Sequence, residues 1–265
     1  MFEFHLPGGA LASSLHALNS YQLLGIFAAL VLGGMVKGIV SIGVPLVAMP
    51  ILSQFLPIKQ AVLLLSMPII LGNIPQALEG GQLWQTTRRL AAPLIGTVLG
   101  NIVGVTVLVS LAPHHAQAVA GACLVAASLL LLASPRLTLA PAWVKPVGFV
   151  LGFGAALMES VASIPGPLLA MYLIASGATG KAFTKQIAII LVVSILTLIA
   201  AFGGNGHHAS AGDLLISALA SVPVVVGLVI VRPVRDKLPP AAFRVVVLLA
   251  VLAAATQMVW KSGVL

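Results

Sequence analysis

Lys37 and Glu159 are the two charges in this chain that no loop accounts for. Each stands inside a long apolar stretch, and each precedes by four residues a serine that opens a motif broken by glycine and proline. The motifs are Ser41-Ile42-Gly43-Val44-Pro45-Leu46 and Ser163-Ile164-Pro165-Gly166-Pro167-Leu168, and they lie 122 positions apart, the offset that also separates Lys37 from Glu159 and Lys59 from Lys181. An ionisable group at membrane depth is costly to hold, so a functional role is the first reading. A buried carboxyl can change charge with the state of its surroundings, which makes Glu159 a candidate for proton coupling. A buried ammonium is suited to an anion. A structural use exists beside this one: as a mutual ion pair the two would fasten the motifs together. Both uses coexist if the pair opens, protonation of Glu159 then releasing Lys37 to hold the anion.

The surrounding residues extend that anion chemistry. Ser41 and Ser163 read as helix N-caps, with Pro45 and Pro165 near the first turn. Two helix amino termini offer unpaired N–H groups and partial positive charge to one oxyanion. Gly38, Gly43, Gly166 and the adjacent Pro167 fall where backbone amides would approach a ligand, although each glycine also serves a tight turn. Asn73 and Gln76 share a face of the next helix, Gln186 stands on the corresponding helix of the second half, and Ser160 follows Glu159 directly. These polar groups either bind substrate oxygens or stitch helices together; Tyr172 either lines the cavity or packs. Ser66, Asn101, Ser194 and Thr197 read as hydrogen-bonding partners between helices.

The elements that must position these residues are transmembrane helices. With 60% hydrophobic and 7% charged residues and a mean hydropathy of +1.16, the chain lacks the polar surface of a water-soluble globule. Uncharged runs at 60–78, 90–135, 160–180, 186–212, 214–231 and 245–260 are mostly near the ~20 residues that cross a bilayer. The longest holds two crossings with Pro113-His114-His115 between them. The runs are continuous rather than alternating, which argues against strands. Residues 1–20 read as a retained surface segment, since an acid, Glu3, stands where a signal peptide carries bases. Cys123 has no disulfide partner in the chain. Trp84, Trp143 and Trp260 stand near predicted helix ends, where indoles meet the interface.

Tyr21 to Leu56 is too long for one straight span, and so is Ala142 to Ser176. Each is either a broken helix that crosses once or a helical hairpin that returns to its starting side. Cytoplasmic loops collect Lys and Arg. If each segment crosses once, the twelve bases other than Lys37 divide seven to five. If each is a hairpin, Arg88, Arg89, Arg136, Lys145, Lys181, Lys185, Arg232, Arg235, Lys237 and Arg244 fall on one side, with Lys59 and Lys261 opposite. The second division predicts an all-α polytopic membrane protein of two inverted repeats, 21–135 and 136–265, each a broken-helix hairpin followed by three transmembrane helices. An odd number of crossings per half inverts the second half, and the hairpin tips then meet near mid-bilayer. Glu3, Asp213, His114-His115, His207-His208 and both termini are expected outside. Gly96, Gly100 and Gly104, and likewise Gly148, Gly152 and Ala156, form small-residue stripes for close helix packing.

The duplicated motif, Val36 to Leu46 in the first half and Glu159 to Leu168 in the second, resembles that of the TauE/SafE family of membrane carriers, and the resemblance runs from about Tyr21 to Lys261. The chain departs from the family's glycine-richer first motif by carrying Lys37. The resemblance implies a multi-pass protein of the bacterial cytoplasmic membrane that exports a small sulfur-containing oxyanion, sulfite or an organosulfonate such as sulfoacetate, drawn by an ion gradient. Its direction of transport rests on the resemblance alone. A small anionic solute and the bilayer are the expected partners, with no nucleic acid, metal or cofactor; a homo-oligomer is left open.

An enzyme is disfavoured, because no His-Glu-x-x-His pair, Gly-x-Ser-x-Gly elbow or acidic cluster occurs and the chain holds five acids in all. The nearer alternative is an anion channel, or a carrier for another small organic anion. A cation site would gather carboxylates, whereas Glu159 stands alone.

Overall fold

The computed structural model describes residues 9–40, 43–133, 137–206, 209–235 and 240–264, and every regular element among them is helical. A short helix α1 (Ala10–His16) precedes α2 (Ser20–Val40) and the nine-residue α3 (Val44–Leu52). Then come α4 (Ile58–Leu78), the short α5 (Leu83–Arg89), α6 (Ala91–Ser110) and α7 (Pro113–Ala133). A 3-10 turn at Pro141–Trp143 leads into α8 (Val144–Ala162), followed by the ten-residue α9 (Gly166–Ala175), α10 (Gly180–Gly204), α11 (Ala211–Leu219), α12 (Ser221–Arg235) and α13 (Pro240–Lys261). Eight segments are long and apolar enough to cross a membrane. Backbone groups in hydrocarbon must be paired within their own segment, and continuous apolar runs can meet that demand only as helix.

Both interrupted segments double back. A Cβ on Gly33 would stand 2.8 Å from Val44 and one on Gly25 2.8 Å from Phe55, so α3 and the turn after it run antiparallel to α2. In the second segment Gly154 faces Leu168 and Gly148 faces Tyr172, while the Leu139 N–H donates to the Ala175 carbonyl at 2.8 Å. The charge pattern predicts three full crossings beside each hairpin. The structure adds that each first leg is itself of span length, 20 residues at Ser20–Ile39 and 22 at Pro141–Ala162. The second legs, at ~1.5 Å per residue, extend only about 14–15 Å.

The hairpins do not pack chiefly on their own halves. The Gly96, Gly100, Gly104 face of α6 lies on α8 against Phe149, Phe153 and Ser160, with Gly152 set on the Pro93 backbone. The pairing of α12 with α2 repeats this: Gly227 meets the Val31 carbonyl, Gly34 the Val224 carbonyl, and Gly38 the side chain of Val231. Gly152 and Ala156 of the second stripe thus lie across one seam from the first, close enough at Gly96, Gly100 and Gly152 that a methyl group would overlap the facing backbone, while Gly148 faces Tyr172 within its own hairpin. In addition α4 packs on α10 and α7 on α13.

The helix ends are tied at two levels. At one, the Lys185 ammonium donates to the Glu79 carbonyl at 2.9 Å and to that of Gly81, and Lys181 pairs with Glu79 at 3.5 Å. At the opposite ends of the same long helices, Lys59 donates to the Val109 carbonyl at 3.1 Å and Lys261 to the Gln54 side chain at 3.2 Å. Asp213 is fully enclosed there, capping α11 in a box with Ser210 and accepting the Leu11 and Ala12 N–H groups at 3.1 and 3.0 Å. One carboxylate therefore holds two helix starts, where the macrodipoles favour it. The three tryptophans are each more than half exposed.

Candidate functional site

Glu159 occupies the last turn of α8 and is wholly enclosed. Its Oε2 accepts from the Asn101 side-chain amide at 3.2 Å and from the Ser194 hydroxyl. The same Asn101 nitrogen lies 2.8 Å from the Ser194 carbonyl, 3.1 Å from the Ser194 hydroxyl and 3.1 Å from that of Thr197. Asn101 Oδ1 accepts from Ser160 at 3.1 Å. One amide has two hydrogens for four acceptors, so Asn101 can exchange partners without moving. Asn101 sits near the middle of α6 and Ser194 near the middle of α10, which puts Glu159 level with the midpoints of two spanning helices. Glu159 Oε1 has no hydrogen-bond partner, and neither has the buried hydroxyl of Ser163.

Lys37 reaches from the last turn of α2 across to α4, its ammonium close to Gly72, where a Cβ would be 3.2 Å away. The absent side chain at Gly72 makes that room. Gly72 is the repeat counterpart of Ser194, again 122 positions apart, so each ionisable group addresses the same point of its own half. The anticipated Lys37–Glu159 ion pair does not form: among the described residues no carboxylate stands within 4 Å of the Lys37 ammonium. The reason lies in the swapped packing. With α2 seated on α12 and α8 on α6, Lys37 is turned to α4 of its own half and Glu159 to Asn101 of α6 and Ser194 of α10. Protonation of Glu159 therefore cannot act by releasing Lys37 from it.

The helix starts also differ from expectation. Ser163 is the left-handed residue that ends α8 (φ 57°), its N–H held by the Glu159 carbonyl at 2.7 Å; it does not cap α9. The N-cap positions belong to Pro165 and Gly43, and neither start has a side-chain cap bond. Pro45 and Pro167 each fill an early helical position, which removes one N–H from each prospective donor set. Ser41 lies outside the described residues. Gly43 is exposed and nothing stands within 4 Å of a Cβ on Gly166, so both starts open onto free space, whereas Gly38 is spent on packing.

The remaining candidates separate. Asn73 is buried and returns its amide to the Ile69 carbonyl of its own helix at 2.7 Å. Gln76 is half-buried one turn on. Tyr172 is enclosed against Gly148, between the legs of its hairpin. Gln186 stands apart from all of these, with Gln82, Arg89, Lys181 and Lys185 around a cavity of about 320 Å³ at the Glu79 end. Asn101, Ser194 and Thr197 do more than link helices, because they form the wall of the Glu159 pocket. Their signal in the sequence was a set of polar residues in otherwise apolar runs, without spacing to join them.

A family model for the sulfite exporter TauE/SafE matches residues 26–258, nearly the whole chain. The chain belongs to the TauE/SafE family. It is accordingly an integral, multi-pass protein of the cell membrane and a transporter, not an enzyme, and family membership implies export of sulfite or a related sulfur anion. Comparison with curated proteins and with solved structures returns no match. Within this TauE/SafE protein, the motifs that carry the resemblance include the end of α2 and the start of α3 in the first half, and the end of α8 and the start of α9 in the second.

Proposed function

We propose that the protein is a secondary carrier exporting a small sulfur-containing oxyanion, sulfite or a sulfonate such as sulfoacetate, with a proton exchanged on Glu159. The observation that carries this reading is the ammonium of Lys37, which lies between two span-length helices against Gly72 with no carboxylate within 4 Å among the described residues. A charge so placed favours an anion strongly, and a charge-assisted hydrogen bond is worth about 1.5–3 kcal/mol. The open starts at Gly43 and Gly166 add backbone donors, and Asn73, Gln76 and Ser160 add polar groups on neighbouring faces. Glu159 supplies the coupling: protonated, it presents no net charge to the bilayer interior, which lowers the cost of moving the hairpin that bears it.

The two halves, 21–135 and 136–265, are read as inverted repeats. Support comes from the reciprocal seams, in which α6 runs parallel to α8 as α12 does to α2, and from the matched relations of Glu159 to Ser194 and Lys37 to Gly72. Reconstitution into liposomes tests the function. Flux of sulfite, sulfoacetate, sulfate and sodium is compared with and without a pH gradient, for wild type, Lys37→Met and Glu159→Gln. The expected result is saturable sulfur-oxyanion flux that responds to the gradient, reduced at least about tenfold by Lys37→Met, the equivalent of ~1.4 kcal/mol. Glu159→Gln should keep anion exchange and lose its pH response. Non-saturating flux would make the protein a channel, and a Glu159→Gln carrier with full proton-driven transport would remove the coupling role.

A further inference from the structure

We infer that Ser163 is the proton-relay residue through which Glu159 exchanges its proton with the open space at the tip of the second hairpin, an inference that rests on the coupling role of Glu159. Three observations combine. Glu159 uses only Oε2 in its hydrogen bonds, leaving Oε1 without a partner although the residue is fully enclosed. Ser163, 1% exposed, likewise has a hydroxyl with no partner. The two are four residues apart in helical register, since the Ser163 N–H still bonds the Glu159 carbonyl. Buried polar groups of this kind are rarely left unpaired, and each such loss is expensive in a low dielectric. Two such groups four residues apart at the end of one helix, not bonded to each other in this structure, are satisfied together by one bridging water molecule.

The chemistry is a simple transfer. A proton on Oε1 is donated to the bridging water, which gives one of its own hydrogens to the Ser163 oxygen, while the Ser163 hydroxyl hydrogen passes outward to a water molecule at the hairpin tip. The reverse sequence returns the proton and leaves the hydroxyl intact. Beyond Ser163 come Ile164 and Pro165, both buried, and then Gly166, where a Cβ would meet nothing within 4 Å and open space begins. The left-handed conformation of Ser163 turns it out of the helix at this point. Among the described residues no other acid or base enters the cluster. The contacts from α6 and α10 are Asn101, Ser194 and Thr197; Tyr172 of α9 faces Gly148, Lys59 of α4 is bound to Val109, and the Lys37 ammonium lies over Gly72.

The test separates proton movement from anion movement. Ser163→Gly removes the hydroxyl while suiting the left-handed backbone, so folding is retained on physical grounds; Ser163→Asn, which also tolerates that conformation but is a poor proton carrier, is the second variant. Each is placed in liposomes and measured for sulfoacetate self-exchange at equal pH and for proton flux accompanying net sulfoacetate movement. Infrared difference spectra between acid and neutral pH follow the Glu159 carboxyl band, identified by its loss in Glu159→Gln. A relay predicts near-normal self-exchange, coupled proton flux down at least about tenfold, and a shifted carboxyl band in Ser163→Gly. Coupled flux and an unshifted band like wild type would overturn it, as would equal loss of exchange and proton flux, which would make Ser163 a substrate or structural residue. If wild type itself moves no protons with the anion, the coupling reading fails instead.

Discussion

Replacing Gly100 by alanine tests the link between helix packing and the Glu159 pocket. Gly100 lies on α6, one residue before Asn101, and its face is pressed on α8. A methyl group there would stand 2.8 Å from Ala156 Cβ and 3.0 Å from Phe153 Cα, and would overlap the Phe153 carbonyl more closely still. Ordinary contact begins at about 3.4 Å. The helices must therefore part by roughly half an ångström or more, and overpacking of this kind costs about 1–3 kcal/mol. The same displacement acts on the Asn101–Glu159 bond, 3.2 Å long, and carries it past the ~3.5 Å at which such a bond ceases to count. Gly154→Ala is the control, because its methyl would meet only Leu168 at 3.4 Å. Unfolding of both variants is followed in mixed micelles of increasing denaturing detergent, and the Glu159 carboxyl band is read in infrared spectra. Gly100→Ala should lose about 1–3 kcal/mol and shift the band, while Gly154→Ala should lose under about 0.5 kcal/mol and leave it in place. Equal stability of the two variants would refute the seam as the element that positions the pocket.

Asp213→Ala should release α1, since this carboxylate accepts from Leu11, Ala12 and Ser210. The expected outcome is a loss of about 1–2 kcal/mol from the lost cap and faster proteolysis before Ser20, read by mass spectrometry of a timed digest. With Cys123 replaced by serine, single cysteines at Gln82 and Gln117 should react with an impermeant maleimide from opposite faces of sealed vesicles, because they line cavities at opposite levels of the molecule. Labelling of both from one face would contradict the two-level arrangement of the loops.

The duplicated motif, the count of apolar runs and the ten-to-two division of bases were enough to expect helices, hairpins and paired halves, because each is a local property of composition and charge. That Lys37 and Glu159 stand within span-length apolar helices was legible for the same reason. What the sequence alone could not decide was which side chain each would meet. It took the fold to show that α6 of the first half lies on α8 of the second, and that this brings Asn101 and Ser194 to Glu159 rather than Lys37. The N-cap reading of Ser163 failed on a neighbouring detail: proline at 165 and 167 delays the helix start, and the serine is left to end the preceding helix in a left-handed turn. Repeat spacing determines which residues are equivalent, since that relation is written along the chain. Contact between them depends on how the halves interlock, since glycines on α2, α6 and α8 and Gly227 on α12 allow close approach to many partners and only the assembled bundle selects one.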